Sequence, residues 1–153
     1  MLVRPALVAD AEEVASVLRR SISELCSLDH AGDSKVLEQW LRNKTPETVR
    51  SWIEADDRFV LVAEENGHIL GVGSASSSGE IVLNYVAPEA RFKGVSKSIV
   101  EALEAHLRSL GFIESKLTST RTAHTFYLSM GYRDAGEPEV WRSIPGQPMS
   151  KFL

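Results

Sequence analysis

A chain of 153 residues, 43% hydrophobic and 25% charged, has the length and balance of one globular domain with a substantial core, which we place at 1–153. Its formal net charge of −4 argues against broad nucleic-acid binding, whose usual mark is a basic surface. Cys26 is the only cysteine, which excludes an internal disulfide and a thiolate metal cluster.

The start, "MLVRPALVADAEEV", lacks the apolar core of a secretion signal, and no apolar run reaches the length of a membrane span, so a cytoplasmic protein is expected. His30, His68, His106 and His124 show no HExxH or other tight ligand spacing, and no metal is expected. No serine sits in a GxSxG elbow, which weakens a hydrolase reading.

In chain order, "VADAEEVASVLRRSISEL" reads as a helix with Asp10 as N-cap and Glu13 closing a capping box. Val14, Val17, Leu18, Ile22 and Leu25 give it one apolar face. "SLDHAGDS" interrupts the pattern. A second helical region carries Val36, Leu37, Trp40 and Leu41, and restarts at Thr45 and Pro46, a cap and a first-turn proline. Two apolar runs then flank Asn66-Gly67, the signature of a two-residue hairpin. "EIVLNYVA" is a third strand. The segment "PEARFKGVSKSIVEALEAHL" leads into a helix with Val95, Ile99, Val100, Leu103, Leu107 and Leu110 on its apolar face and Gly111 as its stop. "FIESKLTST" is a strand, "RTAHTFYLSM" a short helix ended by Gly131, and the tail supplies two strands around a Pro/Gly-rich loop. The strand–helix–strand crossover from Glu80 to Ser119 makes those two strands parallel neighbours, while the hairpin is antiparallel. An α/β fold follows, with a mixed sheet and helices on its faces.

The loop "RFKGVS" joins a strand to a helix N-terminus. The first helical amides lack internal partners and the helix dipole is positive there, which stabilises an anion. Gly94 permits close backbone approach, and Arg91, Lys93 and Lys97 add charge. The same residues read equally as a surface turn with solvated cations. They fit neither GxxxxGK(S/T) nor GxGxxG.

Arg91-x-x-Gly94-x-Ser96 resembles the (Q/R)-x-x-G-x-(G/A) loop of the GNAT N-acetyltransferase superfamily. "TAHTFYLSMGY" resembles that family's N-x-x-A-x-x-(L/F)-Y-x-x-x-G-(F/Y) segment, matched by Ala123, Phe126, Tyr127, Gly131 and Tyr132. "VRPALVADAEEV" and "MSKFL" look like its first and last strands, so the resemblance covers nearly the whole chain. The sequence departs from the pattern at Ser96, where Gly or Ala is preferred, and at Thr120, where Asn is common; the second puts one hydrogen bond to a pantetheine arm in doubt.

The resemblance implies a mostly antiparallel sheet with one splayed parallel pair, and acetyl-CoA (coenzyme A) as acyl donor to a primary amine of a small molecule or peptide, by direct attack in a ternary complex. It assigns the pyrophosphate to the loop Arg91, Phe92, Lys93, Gly94, Val95, Ser96 and Lys97, and the pantetheine to the backbone of Asn84, Tyr85 and Val86, with Thr120 and Ala123 alongside. A backbone N–H near Asn84 would face the thioester oxygen. Tyr127 matches the general acid that faces the departing thiolate, and Glu80, eleven residues before Arg91, the glutamate base that works through water. Read bare, Tyr127 is also a core aromatic, Glu80 an exposed hairpin end, and the alternation of Ile81, Leu83 and Tyr85 an ordinary buried strand. For the acceptor, the resemblance points to two loops, offering Asp29, His30 and Asp33, then Glu137, Glu139 and Trp141; the alternative is plain solvated loop. Cys26 reads as a small buried hydrophobe. A non-catalytic acyl-CoA-binding module of the same fold is the competing reading, and monomer and homodimer both stay open.

Overall fold

The computed structural model describes residues 1–153. Eight strands form one mixed sheet: β1 (Leu2–Pro5), β2 (Arg58–Glu65), β3 (His68–Ser76), β4 (Glu80–Val86), β5 (Glu114–Ser119), β6 (Arg133–Asp134), β7 (Glu139–Trp141) and β8 (Ile144–Phe152). The spatial order is β1-β2-β3-β4-β5-β8-β6, with β7 paired to β8. Only β4 and β5 run parallel; all other pairs are antiparallel. No helix is long and apolar enough to cross a membrane.

The hairpin falls at Asn66 (φ 54°) and Gly67 (φ 79°), the two positive-φ positions its turn needs. The tail holds three strands rather than two. Its extra β7–β8 hairpin turns through Arg142 (φ 47°) and Ser143 (φ 67°), residue types that do not announce a tight turn.

Helix α1 (Ala11–Leu25) buries Val14, Val17, Leu18 and Ile22 as its periodicity requires. Its capping differs from expectation. A 3-10 turn at Val8–Asp10 precedes it, and the Asp10 carboxylate accepts from Leu7 N–H at 2.7 Å and pairs with Arg4 at 2.8 Å. Glu13 instead accepts from Ile69 N–H at 2.8 Å, pinning α1 to β3. The second helical region divides into a single turn, α2 (Ser27–His30), then α3 (Ser34–Leu41) and α4 (Pro46–Glu54), the last capped by Thr45 as expected.

Helix α5 (Val95–Ser109) lies on the opposite sheet face from α1 and α4, and reaches β3 through two glycines. A Cβ at Gly73 would stand 2.3 Å from Ile99 Cγ2, and one at Gly71 2.8 Å from Ile99 Cδ1. Val95, Ile99, Val100, Leu103 and Leu107 are buried there, each contributing about 1.5–3 kcal/mol. Leu110 is the helix C-cap and is exposed, not part of that face. Helix α6 (His124–Ser129) follows β5 and buries Tyr127.

Two irregularities shape the centre. Opposite β3, Ser74 faces Leu83 and Ala75 faces Ile81, so Val82 is a bulge residue with no partner. Against β5, β4 pairs only at Glu80–Lys116 and Ile81–Leu117. Beyond Ile81 the strands part, and β4 backbone groups facing away from β3 have no strand to bond.

Candidate active site

The parting of β4 and β5 opens a cavity of about 590 Å³, walled by α1, β4, the loop before α5, and α6. Asn84, Tyr85, Val86, Arg91, Phe92, Gly94, Val95, Ser96, Lys97, Thr120 and Ala123 line it together, although they come from three separate stretches of sequence. Ser21 and Leu25 of α1 and its C-cap Cys26 line it too. In the sequence Leu25 belongs to the apolar stripe, Cys26 reads as a small buried hydrophobe and Ser21 carries no mark; their one shared signal is a place near the end of that stripe. Burial, reinforced by Asp29, pushes the Cys26 thiol up to about 12, so it is a packing group and not a nucleophile.

The loop at the mouth has its own logic. Backbone bonding runs as far as Arg91 N–H to Pro88 O and resumes at Ser98 N–H to Gly94 O. The amides of Phe92 through Lys97 between them have no acceptor in the chain. Gly94 has φ 79° and a Cβ there would meet no atom within 4 Å, so the backbone is presented to open space. Phe92 is also left-handed (φ 65°) and 90% exposed, with the Arg91 guanidinium 4.7 Å from its ring centre. Arg20 of α1 pairs with Glu89 and moors the turn that precedes the loop.

At the fork itself a narrow void of about 50 Å³ is bounded by Val82, Leu83, Asn84, Thr120, Ala123 and Tyr127. Tyr127 is buried, its ring edge-on to Phe126 at 5.2 Å and to Tyr132 at 5.6 Å. Its oxygen accepts from Asn84 Nδ2 at 3.1 Å, and burial pushes its pKa up to about 12. Asn84 Oδ1 is buried without a partner. Thr120 Oγ1 accepts from Ala123 N–H at 3.2 Å, so the departure from Asn at this position is absorbed into the start of α6.

On the other side of β4 lies a second cavity, of about 550 Å³, with Glu80, Val82, Leu83, Tyr85, Glu139 and Trp141 in its walls. Glu80 and Trp141 are thus brought together. Trp40 and Lys44 join them, from a segment ("QWLRNKTPE") whose sequence carries no sign of a site.

Asp29 and His30, expected near the acceptor, are engaged within the chain and line neither of the two large cavities. The Asp29 carboxylate accepts from Arg121 N–H (2.6 Å), Thr122 N–H (3.2 Å) and Thr122 Oγ1 (2.5 Å), and so ties α2 to the loop before α6. His30 is buried, with Nδ1 accepting from Gly32 N–H at 3.0 Å and Nε2 directed at Ser23 O at 3.3 Å. Asp33 is likewise engaged, as the N-cap of α3. No three His, Cys, Asp or Glu side chains come together as metal ligands.

The family model described as an acetyltransferase (GNAT) domain matches residues 26–153. The chain belongs to the GNAT acetyltransferase family. Acetyl-CoA is accordingly its acyl-donor co-substrate. Solved structures of the same fold include a GCN5-related N-acetyltransferase from Rhodopseudomonas palustris, at 21% identity, TM-score 0.88, covering 99% of this chain and 95% of that one. A PaiA N-acetyltransferase from Thermoplasma acidophilum, solved with coenzyme A, has 21% identity and TM-score 0.83, covering 99% and 98%. A ribosomal-protein-alanine N-acetyltransferase from Brucella melitensis has 20% identity and TM-score 0.72 over both full chains. At these identities the likeness of this GNAT chain to them is one of fold. A search of curated protein sequences finds no significant match.

Proposed function

We propose that this GNAT domain is an N-acetyltransferase that moves the acetyl group of acetyl-CoA to a primary amine of a small molecule or peptide by direct attack in a ternary complex. The observation that carries the reading is the fork of β4 and β5, with a cavity on each side and the Asn84–Tyr127 hydrogen bond at the point between them.

The residues present suit the donor. Unbonded amides from Phe92 to Lys97, beside Arg91, Lys93 and Lys97, suit the pyrophosphate. The β4 edge that β5 leaves free around Asn84, Tyr85 and Val86, and the orphaned Asn84 Oδ1, suit an amide-bearing arm such as pantetheine. When bound, acetyl-CoA supplies a thioester whose carbonyl carbon accepts the amine as the carbon–sulfur bond breaks.

Tyr127 holds its proton at neutral pH because burial disfavours the phenolate, and it gives that proton to the leaving sulfur. Glu80, in the wall of the second cavity, takes the proton lost by the amine nitrogen, through water. The products are an amide and a free thiol.

The test couples two measurements. Calorimetric titration with coenzyme A should saturate; well-folded protein giving no heat rules out the donor site. Thiol release with acetyl-CoA over polyamines, amino acids, antibiotics and peptide N-termini should reveal an acceptor. Saturation with no turnover on any amine would leave the binding-module reading in its place.

A further inference from the structure

Lys44 sits in the loop between α3 and α4 and is 6% exposed, yet it lines the acceptor-side cavity. Its Nζ donates to Asn43 Oδ1 at 2.6 Å, a neutral group, and none of the chain's ion pairs includes it. The loop is fixed in place, since Arg19 of α1 donates to the carbonyls of Leu41 and Lys44. The nearby charges that act on Lys44 are those of Arg58 and Arg142, both of its own sign. An ammonium taken out of water is ordinarily paired with a carboxylate, because burying it alone is expensive. Here the chain provides the cation and the room, with no carboxylate within 4.0 Å of it.

We propose that the acceptor amine carries its own carboxylate, and that Lys44 selects it by binding that carboxylate in the second cavity. The inference deepens the acyl-transfer reading and rests on it. Glu80 and Glu139 line the same cavity, so its walls offer carboxylates for an ammonium as well as a cation for an anion. Trp40 and Trp141 supply apolar surface for the stem between the two groups. A zwitterionic amine satisfies both kinds of wall, whereas a polyamine brings like charge to Lys44 and no anion to pair with it. Burial, then Arg58 and Arg142, lower Lys44 to about 8, so it is still mostly charged at neutral pH and gains from an incoming anion.

The experiment compares matched acceptors with acetyl-CoA: L-ornithine against putrescine, L-lysine against cadaverine, and a short peptide with Glu against the same peptide with Gln at its second position. The first two pairs test a free amino acid and the third a peptide carboxylate. The carboxylate-bearing member of at least one pair should have kcat/KM about tenfold higher or more, corresponding to one paired charge. Lys44→Met should bring that ratio near one, and Lys44→Arg should keep it. Preference for the diamines, or a ratio that Lys44→Met leaves intact, overturns the proposal. A second readout needs no turnover. Lys44 is trace-labelled with acetic anhydride and followed by mass spectrometry, with glutarate or putrescine present. Protection by glutarate alone is expected, and absence of protection overturns the proposal even if other amines are acetylated. Coenzyme A binding with glutarate protection but no turnover would sink the acyl-transfer reading while leaving the anion site standing.

Discussion

The side-chain amide of Asn84 donates to the phenol oxygen of Tyr127 at 3.1 Å, while the Asn84 carbonyl oxygen stays buried without a partner. One contact across the fork therefore fixes the phenol to β4 and leaves its own proton with no acceptor in the chain. A hydroxyl that receives a bond at its oxygen and keeps its hydrogen uncommitted is arranged to donate.

Tyr127→Phe removes that proton and little else. Turnover should fall about a hundredfold, the usual worth of a positioned acid, with KM for acetyl-CoA nearly unchanged. Asn84 Nδ2 also loses its acceptor, which should lower stability by about 1–3 kcal/mol, read from denaturant unfolding. Unchanged kcat would remove the acid role.

Gly94→Val tests the loop. The new side chain meets open space, so its penalty is the left-handed backbone, about 1–3 kcal/mol of strain at φ 79°. The loop should relax and withdraw its amides, lowering coenzyme A affinity by about tenfold or more while the melting temperature moves little. Affinity equal to the parent's would argue that the loop amides are not the anion site.

The elements most legible in the sequence were those whose signal is local. The Asn66-Gly67 turn, the Thr45-Pro46 helix start and the α5 stripe each declare themselves within a few residues, and the structure has them. Arg91, Gly94, Thr120 and Ala123 were found because their spacing resembles a family pattern, and they line one cavity. What stayed hidden depends on chain segments far apart. Asp29 reads as a loop acid until Arg121 and Thr122, some ninety positions on, saturate it. Lys44 has no local mark in the sequence, and only folding brings it to one cavity with Trp40 and β4. The β7–β8 turn escaped because Arg142 and Ser143 adopt positive φ without the glycine that normally signals it.

Asp29→Ala separates the structural role from an acceptor role. It strands two part-buried N–H groups and a hydroxyl, which should cost about 1–3 kcal/mol and loosen the Arg121–Thr122 turn beside the donor cavity. KM for acetyl-CoA should then rise more than KM for the amine. The reverse pattern, at unchanged stability, would restore Asp29 to the acceptor.

Asp10 links stability to pH. Its hydrogen bond from Arg4, ahead of the opposing effect of burial, holds its carboxyl below the ordinary value of 3.8. The unfolded chain thus takes up the proton first as acid is added. The stabilisation is complete above the unfolded pKa and is lost as pH falls through the depressed folded value. Asp10→Asn should therefore lose about 1–2 kcal/mol at neutral pH, a hydrogen-bonded charge discounted for partial exposure. The gap to the parent should close below about pH 4. A gap that persists in acid would show that charge is not what the pair contributes.

Gly73→Ala addresses the packing that positions everything else. The added methyl would lie 2.3 Å from Ile99 Cγ2 and 3.0 Å from Leu103 Cδ1, both fully buried on α5, so no exposed side-chain end can swing away. Either α5 lifts from β3 or Ile99 leaves its rotamer, at about 1–3 kcal/mol or more. Because the unbonded amides of the loop sit at the N-terminus of that same helix, displacement of α5 should weaken coenzyme A binding as well as lower the melting temperature. Gly73→Ser should behave alike, and the double variant of Gly73→Ala with Ile99→Ala should lose less than the sum of the two, since Ile99→Ala removes the Cγ2 that the new methyl meets. Additive losses in Gly73→Ala with Ile99→Ala would show that the strain lies elsewhere than at this contact.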